Sequence, residues 1–131
     1  MSIQSKLISI LLGLVLLLTA GCGRQTISLD AAANGQTIEM TLGQRLTIAL
    51  PANPSTGYTW EIQQGATPVL DPIGEPAFTS DNPGLVGSGG TLRLTFRAAQ
   101  TGVTTLVLVY HRPWETDVEP LDTFQVTVTV R

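Results

Sequence analysis

Beyond Lys6 the chain contains no lysine, and its 131 residues include one cysteine, Cys22, and one histidine, His111. A single cysteine excludes an internal disulfide, so an exported fold has to hold by packing and strand pairing alone. One imidazole, with the one thiol expected to carry lipid, leaves no ligand set for a metal and no cysteine nucleophile, so no metal site or cofactor is expected. No serine sits in a Gly-x-Ser-x-Gly elbow and no motif links the one histidine to a serine, so Ser55 is not expected to be a nucleophile nor the chain an enzyme. Without Lys6, six arginines face ten carboxylates, so the net charge moves from −3 to −4. That balance excludes a basic face for nucleic acid and peripheral attraction to anionic lipid. No segment carries a sustained helical period, and no internal repeat is visible.

What is present begins with an export signal. Lys6 precedes an apolar run over residues 7–18, which is shorter than the ~20 residues a membrane-spanning helix needs. Thr19-Ala20-Gly21-Cys22 then resembles a bacterial lipobox, with Thr19 where Leu is commoner. The resemblance implies cleavage after residue 21, lipid (palmitate) on the Cys22 thiol and retention at a membrane. Gly23 in place of Asp implies the periplasmic side of an outer membrane, or the cell surface, of a bacterium. A single acyl chain binds a bilayer only marginally, so such an anchor needs several. Residues 22–25 are then a short linker, and 26–131 a single domain. Removing residues 1–21 from 131 leaves 110, enough to bury roughly 65% of the surface the unfolded chain exposes.

Within the domain, apolar and polar residues alternate with a period of two. Leu46, Ile48 and Leu50 read as one strand, Tyr58, Trp60 and Ile62 as the next, Leu92, Leu94 and Phe96 as a third, and Phe124, Val126, Val128 and Val130 as the last. Residues 103–110 are nearly all apolar, which suits a central strand buried on both faces. Asn34-Gly35 between two short alternating segments predicts a hairpin, although residues 31–35 also allow a wider loop. Pro68, Pro72, Pro76 and Pro83 exclude a long strand between 63 and 85 and leave one short edge strand around 76–79. Seven to eight such strands predict an all-β, immunoglobulin-like antiparallel sandwich. If successive strands alternate in direction, three of the connections emerge at one end.

Those three connections carry the sites. Asn53-Pro54-Ser55-Thr56-Gly57 is stiff, because Pro54 fixes its φ, biases Asn53 toward extended geometry, and is followed by a glycine able to take φ > 0. Pro54 also excludes Asn53 from glycosylation. Gly87-Ser88-Gly89-Gly90 lets backbone approach a partner closely, and no Lys-Ser/Thr follows to make a phosphate loop. Arg112-Pro113-Trp114 joins two residue types that commonly anchor interfaces, with Trp114 expected exposed and Trp60 expected in the core. His111 reads as structural. Glu115, Asp117, Glu119 and Asp122 read as a solvated face that matches no calcium loop.

In this order and spacing, the three loops resemble the inhibitory loops of the chagasin family, immunoglobulin-like inhibitors of papain-like cysteine proteases. Ser55 stands where that family usually has Thr, keeping the hydroxyl and losing a methyl. The resemblance implies a reversible, tight-binding monomeric inhibitor. Its first loop enters the catalytic cleft, with Thr56 beside the catalytic pair, and the other loops clamp the cleft's sides. The alternative from another class is a surface-anchored adhesion or structural domain that uses the same end against a non-protease partner.

Overall fold

The computed structural model describes residues 25–131; the signal segment, Cys22 and the linker up to Arg24 lie outside them. Among the described residues, nine strands form two facing sheets. The first sheet contains β1 (Ile27–Leu29), β3 (Arg45–Ala52), β5 (Leu70–Pro72), β6 (Ala77–Ser80) and β7 (Gly90–Ala98), and the second contains β2 (Thr37–Met40), β4 (Thr59–Gln64), β8 (Gly102–His111) and β9 (Asp122–Val130). The expected alternation forms the core: Leu46, Ile48, Leu50 and Phe96 of one sheet and Leu106, Leu108, Phe124, Val126 and Val128 of the other are almost completely buried. No polar or charged residue is buried among the described residues. This all-or-none sorting is what lets packing alone hold a domain without cross-links. The run 106–109 is buried on both faces, as expected for the strand flanked by β4 and β9.

Four expectations are corrected. The Asn34-Gly35 hairpin does not form: β1 pairs β3 and β2 pairs β9, both in parallel, so the chain crosses from one sheet to the other between them. The crossing is made by a 3-10 turn, Ala31–Ala33, capped by the Asp30 carboxylate. Asn34 and Gly35 are occupied by β9 instead of turning back: Asn34 Oδ1 accepts from the Gln125 N–H at 2.8 Å, and the Gly35 N–H donates to the Gln125 carbonyl at 2.7 Å. The sandwich is therefore antiparallel inside and parallel at two edges, and has nine strands. Second, the proline-rich segment holds two short strands. β7 is long enough for β5 to pair its lower half and β6 its upper half along one edge. Third, Ile62 is 37% exposed: it pairs with the buried Leu108 and shares the face of Trp60, but it lies on β4, the edge strand of its sheet, where that strand loses its regular pairing after Ile62.

The last correction concerns Gly90. It is not part of a loop but the first residue of β7, buried between Ala52 and Ser80 of the flanking strands. A Cβ there would lie 2.0 Å from the Thr79 carbonyl oxygen, so the close approach of β6 by itself requires glycine.

Candidate functional site

Pairings of Ala52 with Gly90, Ser80 with Gly90, and Thr59 with His111 bring the connections 53–58, 81–89 and 112–121 to one end of the sandwich. In the first, Pro54–Thr56 form a single 3-10 turn. Asn53 caps it, its Oδ1 accepting from the Ser55 N–H at 3.2 Å and the Ser55 hydroxyl at 2.6 Å. The Thr56 hydroxyl donates to the Asn53 carbonyl at 2.6 Å, and Gly57 ends the turn at φ +84°. The Asn53 Oδ1 and the Ser55 and Thr56 hydroxyls are bonded inside the turn, while Pro54, Ser55 and Thr56 remain exposed at its crest. Proline at the first turn position and glycine at the last make this a sequence-encoded shape.

Each neighbouring loop is tied to this turn by one hydrogen bond. Asn53 Nδ2 donates to the Gly87 carbonyl at 3.1 Å, and Arg112 Nε donates to the Thr56 carbonyl at 3.0 Å. The Arg112 guanidinium also lies 4.5 Å from the centre of the Tyr58 ring and 3.6 Å from a Glu115 oxygen. Arg112 is thus engaged within the protein, bracing the third loop against the first. Trp114 is 67% exposed, as expected, with the edge of its ring over Gly57. Gly87 takes φ +83°, and Gly89 accepts the Asp81 N–H that closes the second loop. Two residues at the crest of that loop escape a reading based on glycines: Leu85 at 61% and Val86 at 100% exposure. Their only sequence signal is an apolar pair set between Pro83 and Gly87.

Under the turn stands an aromatic column. The Tyr110 hydroxyl accepts from the Asn53 N–H at 3.0 Å, and its ring lies 5.0 Å from Trp60 and 5.4 Å from Tyr58. Trp60, 4% exposed, donates from Nε1 to the Pro51 carbonyl at 2.9 Å. Pro51 and Asn53, at the entry to the first loop, are therefore both fixed from below by aromatic side chains. Tyr110 belongs to a strand whose apolar run hides that role in the sequence. His111 pairs with Glu61 at 3.0 Å between β8 and β4, which fits its structural reading.

The sequence pattern described as "Chagasin family peptidase inhibitor" matches residues 39–128, a span that contains all three loops. The chain belongs to the chagasin family. Amoebiasin-1 of Entamoeba histolytica is 33% identical over 90 residues, 67% of this chain and 84% of that protein. Chagasin of Trypanosoma cruzi is 33% identical over 89 residues, 63% and 78% of the two chains. The crystal structure of a cysteine protease inhibitor from Entamoeba histolytica superposes with a TM-score of 0.72 at 29% identity, covering 81% of this chain and 96% of that one. The immunoglobulin-like sandwich is thus the family's architecture, and a chagasin-family chain is an inhibitor and not an enzyme.

Gly57 illustrates how the loops depend on one another. A Cβ on Gly57 would lie 2.4 Å from Trp114, whereas a Cβ on Gly43, at a nearly identical φ of +85°, meets nothing within 4 Å. Both Gly57→Ala and Gly43→Ala should lower stability by about 1–2 kcal/mol from backbone strain. Only Gly57→Ala should also displace the indole and weaken binding at this end. Thermal melts of both variants, alongside inhibition assays, separate the two effects.

Proposed function

We propose that this chain is a reversible, tight-binding inhibitor of papain-like cysteine proteases that occludes the catalytic cleft without being cleaved. The observation that carries the reading is the exposed Pro54-Ser55-Thr56 crest on an internally bonded turn, flanked by and bonded to two further loops. A contact that needs almost no ordering on binding retains most of its interaction energy, and a standard interface of about 1,600 Å² then reaches nanomolar affinity or better. Pro54, Ser55 and Thr56 form the wedge. Gly87, Ser88 and Gly89 offer backbone on one side, with Leu85 and Val86 beside them; Pro113 and Trp114 close the other. Asn53, Gly57 and Arg112 hold these groups in place, and Gly90 sets the strand beneath. Titrating a papain-type enzyme with the protein tests the reading. Activity should fall stoichiometrically, be insensitive to reductant, and return on dilution with the inhibitor intact. No inhibition, or cleavage within residues 54–57, rejects it.

Trp114 is the rim anchor in this reading. Trp114→Ala should cost at least ~2 kcal/mol, about thirtyfold in affinity, mostly as faster dissociation, with association within about tenfold. Stopped-flow association and chase experiments measure both rates. Because Trp114 is an exposed loop residue, the variant should melt close to the parent.

The same reading includes the membrane. The Thr19-Ala20-Gly21-Cys22 sequence supports cleavage before Cys22 and lipid on its thiol. Mass spectrometry of protein extracted from membranes should find Cys22 at the N-terminus with an acyl mass excess, and Cys22→Ser should leave the precursor uncut or release the domain. An unmodified thiol on the mature protein contradicts it.

A further inference from the structure

The parallel pairing of β1 with β3 fixes where the anchored end of the domain lies. Ile27 sits beside Leu46 at the start of β3, and the Gln25 carbonyl accepts from Gln44 Nε2 at 2.6 Å. The inhibitory loops begin at the other end of β3, beyond Ala52. At ~3.3 Å per residue, β3 separates the two by about 23 Å. From Cys22 to Gln25 the chain can reach at most ~11 Å even fully extended. A lipid on Cys22 therefore cannot lie alongside the loops, because the tether is about half the length needed to run up the side of the domain.

Charge and apolar exposure are sorted along the same axis. The pole at the start of β3 carries Arg45, Arg97 and Arg131, with Asp71 and Glu39 paired to the last two at 3.5 and 2.9 Å. It also exposes Leu42, 53% accessible, on the turn that adjoins Arg131, and Val103, 67% accessible, at the start of β8. The loop pole holds Asp81, Glu115, Asp117, Glu119 and Asp122 around the single arginine 112. The carboxylates of the second pole are repelled by an anionic bilayer, whereas the paired charges of the first meet no such barrier.

We infer that, given the lipid anchor proposed above, the pole bearing Gln25, Leu42 and Val103 rests on the lipid surface, and the three inhibitory loops face the aqueous space. The inhibitor then acts on proteases diffusing above the membrane. A protease whose active-site cleft lies flush with the same bilayer is out of its reach.

Cys22 being the only cysteine makes the test direct, since its sulfur is taken up by lipid. Full-length lipidated protein carrying Val103→Cys or Val86→Cys is labelled with a thiol-reactive fluorophore. It is then placed on phosphatidylethanolamine–phosphatidylglycerol vesicles that contain a nitroxide-headgroup lipid. Strong quenching of the Val103→Cys label and none of the Val86→Cys label is the expected result. Equal quenching of both, on protein that floats with the vesicles and shows the acyl mass, overturns the orientation and leaves the anchor intact. Protein that neither floats nor carries the acyl mass overturns the anchor, and the orientation falls with it.

Discussion

Thr56→Arg is expected to weaken inhibition of a papain-type protease by at least about a hundredfold, or ~2.7 kcal/mol. Thr56 stands at the crest of the wedge, with its hydroxyl bonded to the Asn53 carbonyl and its own carbonyl held by Arg112. Its methyl and compact hydroxyl are what a narrow cleft can admit. An arginine brings a long charged group that must be stripped of water without a partner, or pushed out, taking the loop with it. Thr56→Ser keeps the internal hydrogen bond and should stay close to the parent. Thr56→Ala loses the hydroxyl's bond to the Asn53 carbonyl and a long one, 3.4 Å, from the Tyr58 N–H, both in an exposed turn, so it should cost about 0.5–1.5 kcal/mol, roughly tenfold or less. Inhibition constants for the three variants, with melting curves to show that each is folded, give the ranking. An arginine variant as potent as the alanine one would remove Thr56 from the narrowest point of the contact.

Trp60→Ala is expected to destabilise the domain by about 3–5 kcal/mol, a large share of the 5–15 kcal/mol typical of a domain this size. Trp60 is 4% exposed, stacked on Tyr110, and donates its indole N–H to the Pro51 carbonyl. Truncation leaves a cavity and removes that hydrogen bond just before the first loop begins. Because Tyr110 in turn holds the Asn53 N–H, the folded fraction of the variant should also show faster amide exchange over residues 53–57. Urea denaturation measures the first effect and hydrogen exchange the second. The contrast with Trp114→Ala is the point of the experiment: one tryptophan should change stability and the other affinity. If the two variants melt alike, the assignment of core and rim is reversed or lost.

Loops 53–57 and 112–114 were legible because their shapes follow from adjacent residues. Proline restricts its own φ and its predecessor's, glycine admits φ +84°, and Asn53 caps a turn two residues ahead. The same locality explains why the core strands were legible. A period of two is a property of consecutive side chains, and every core position from Leu46 to Leu50 and from Phe124 to Val130 kept its face. The readings that needed correction all depended on residues distant in the chain. Gly90 looked like loop glycine until β6 proved to pass 2.0 Å from where its Cβ would be. That the Arg112 guanidinium reaches Thr56 and Tyr58, more than fifty residues earlier, likewise had no local signal.

The sequence by itself determined the sheet class, the wedge turn and its two companions, because alternation, proline and glycine act on the backbone within a few residues. Only the tertiary structure decided which strands are neighbours. Asn34-Gly35 is a good local hairpin signal, but β1 and β2 each gain more by laying Ile27, Leu29, Ile38 and Met40 on the core from opposite sheets. Burial is a sum over the whole fold, and it overrode the turn. That same choice placed the N-terminal strand parallel to β3 and so put Gln25 and the three loops at opposite ends of the domain.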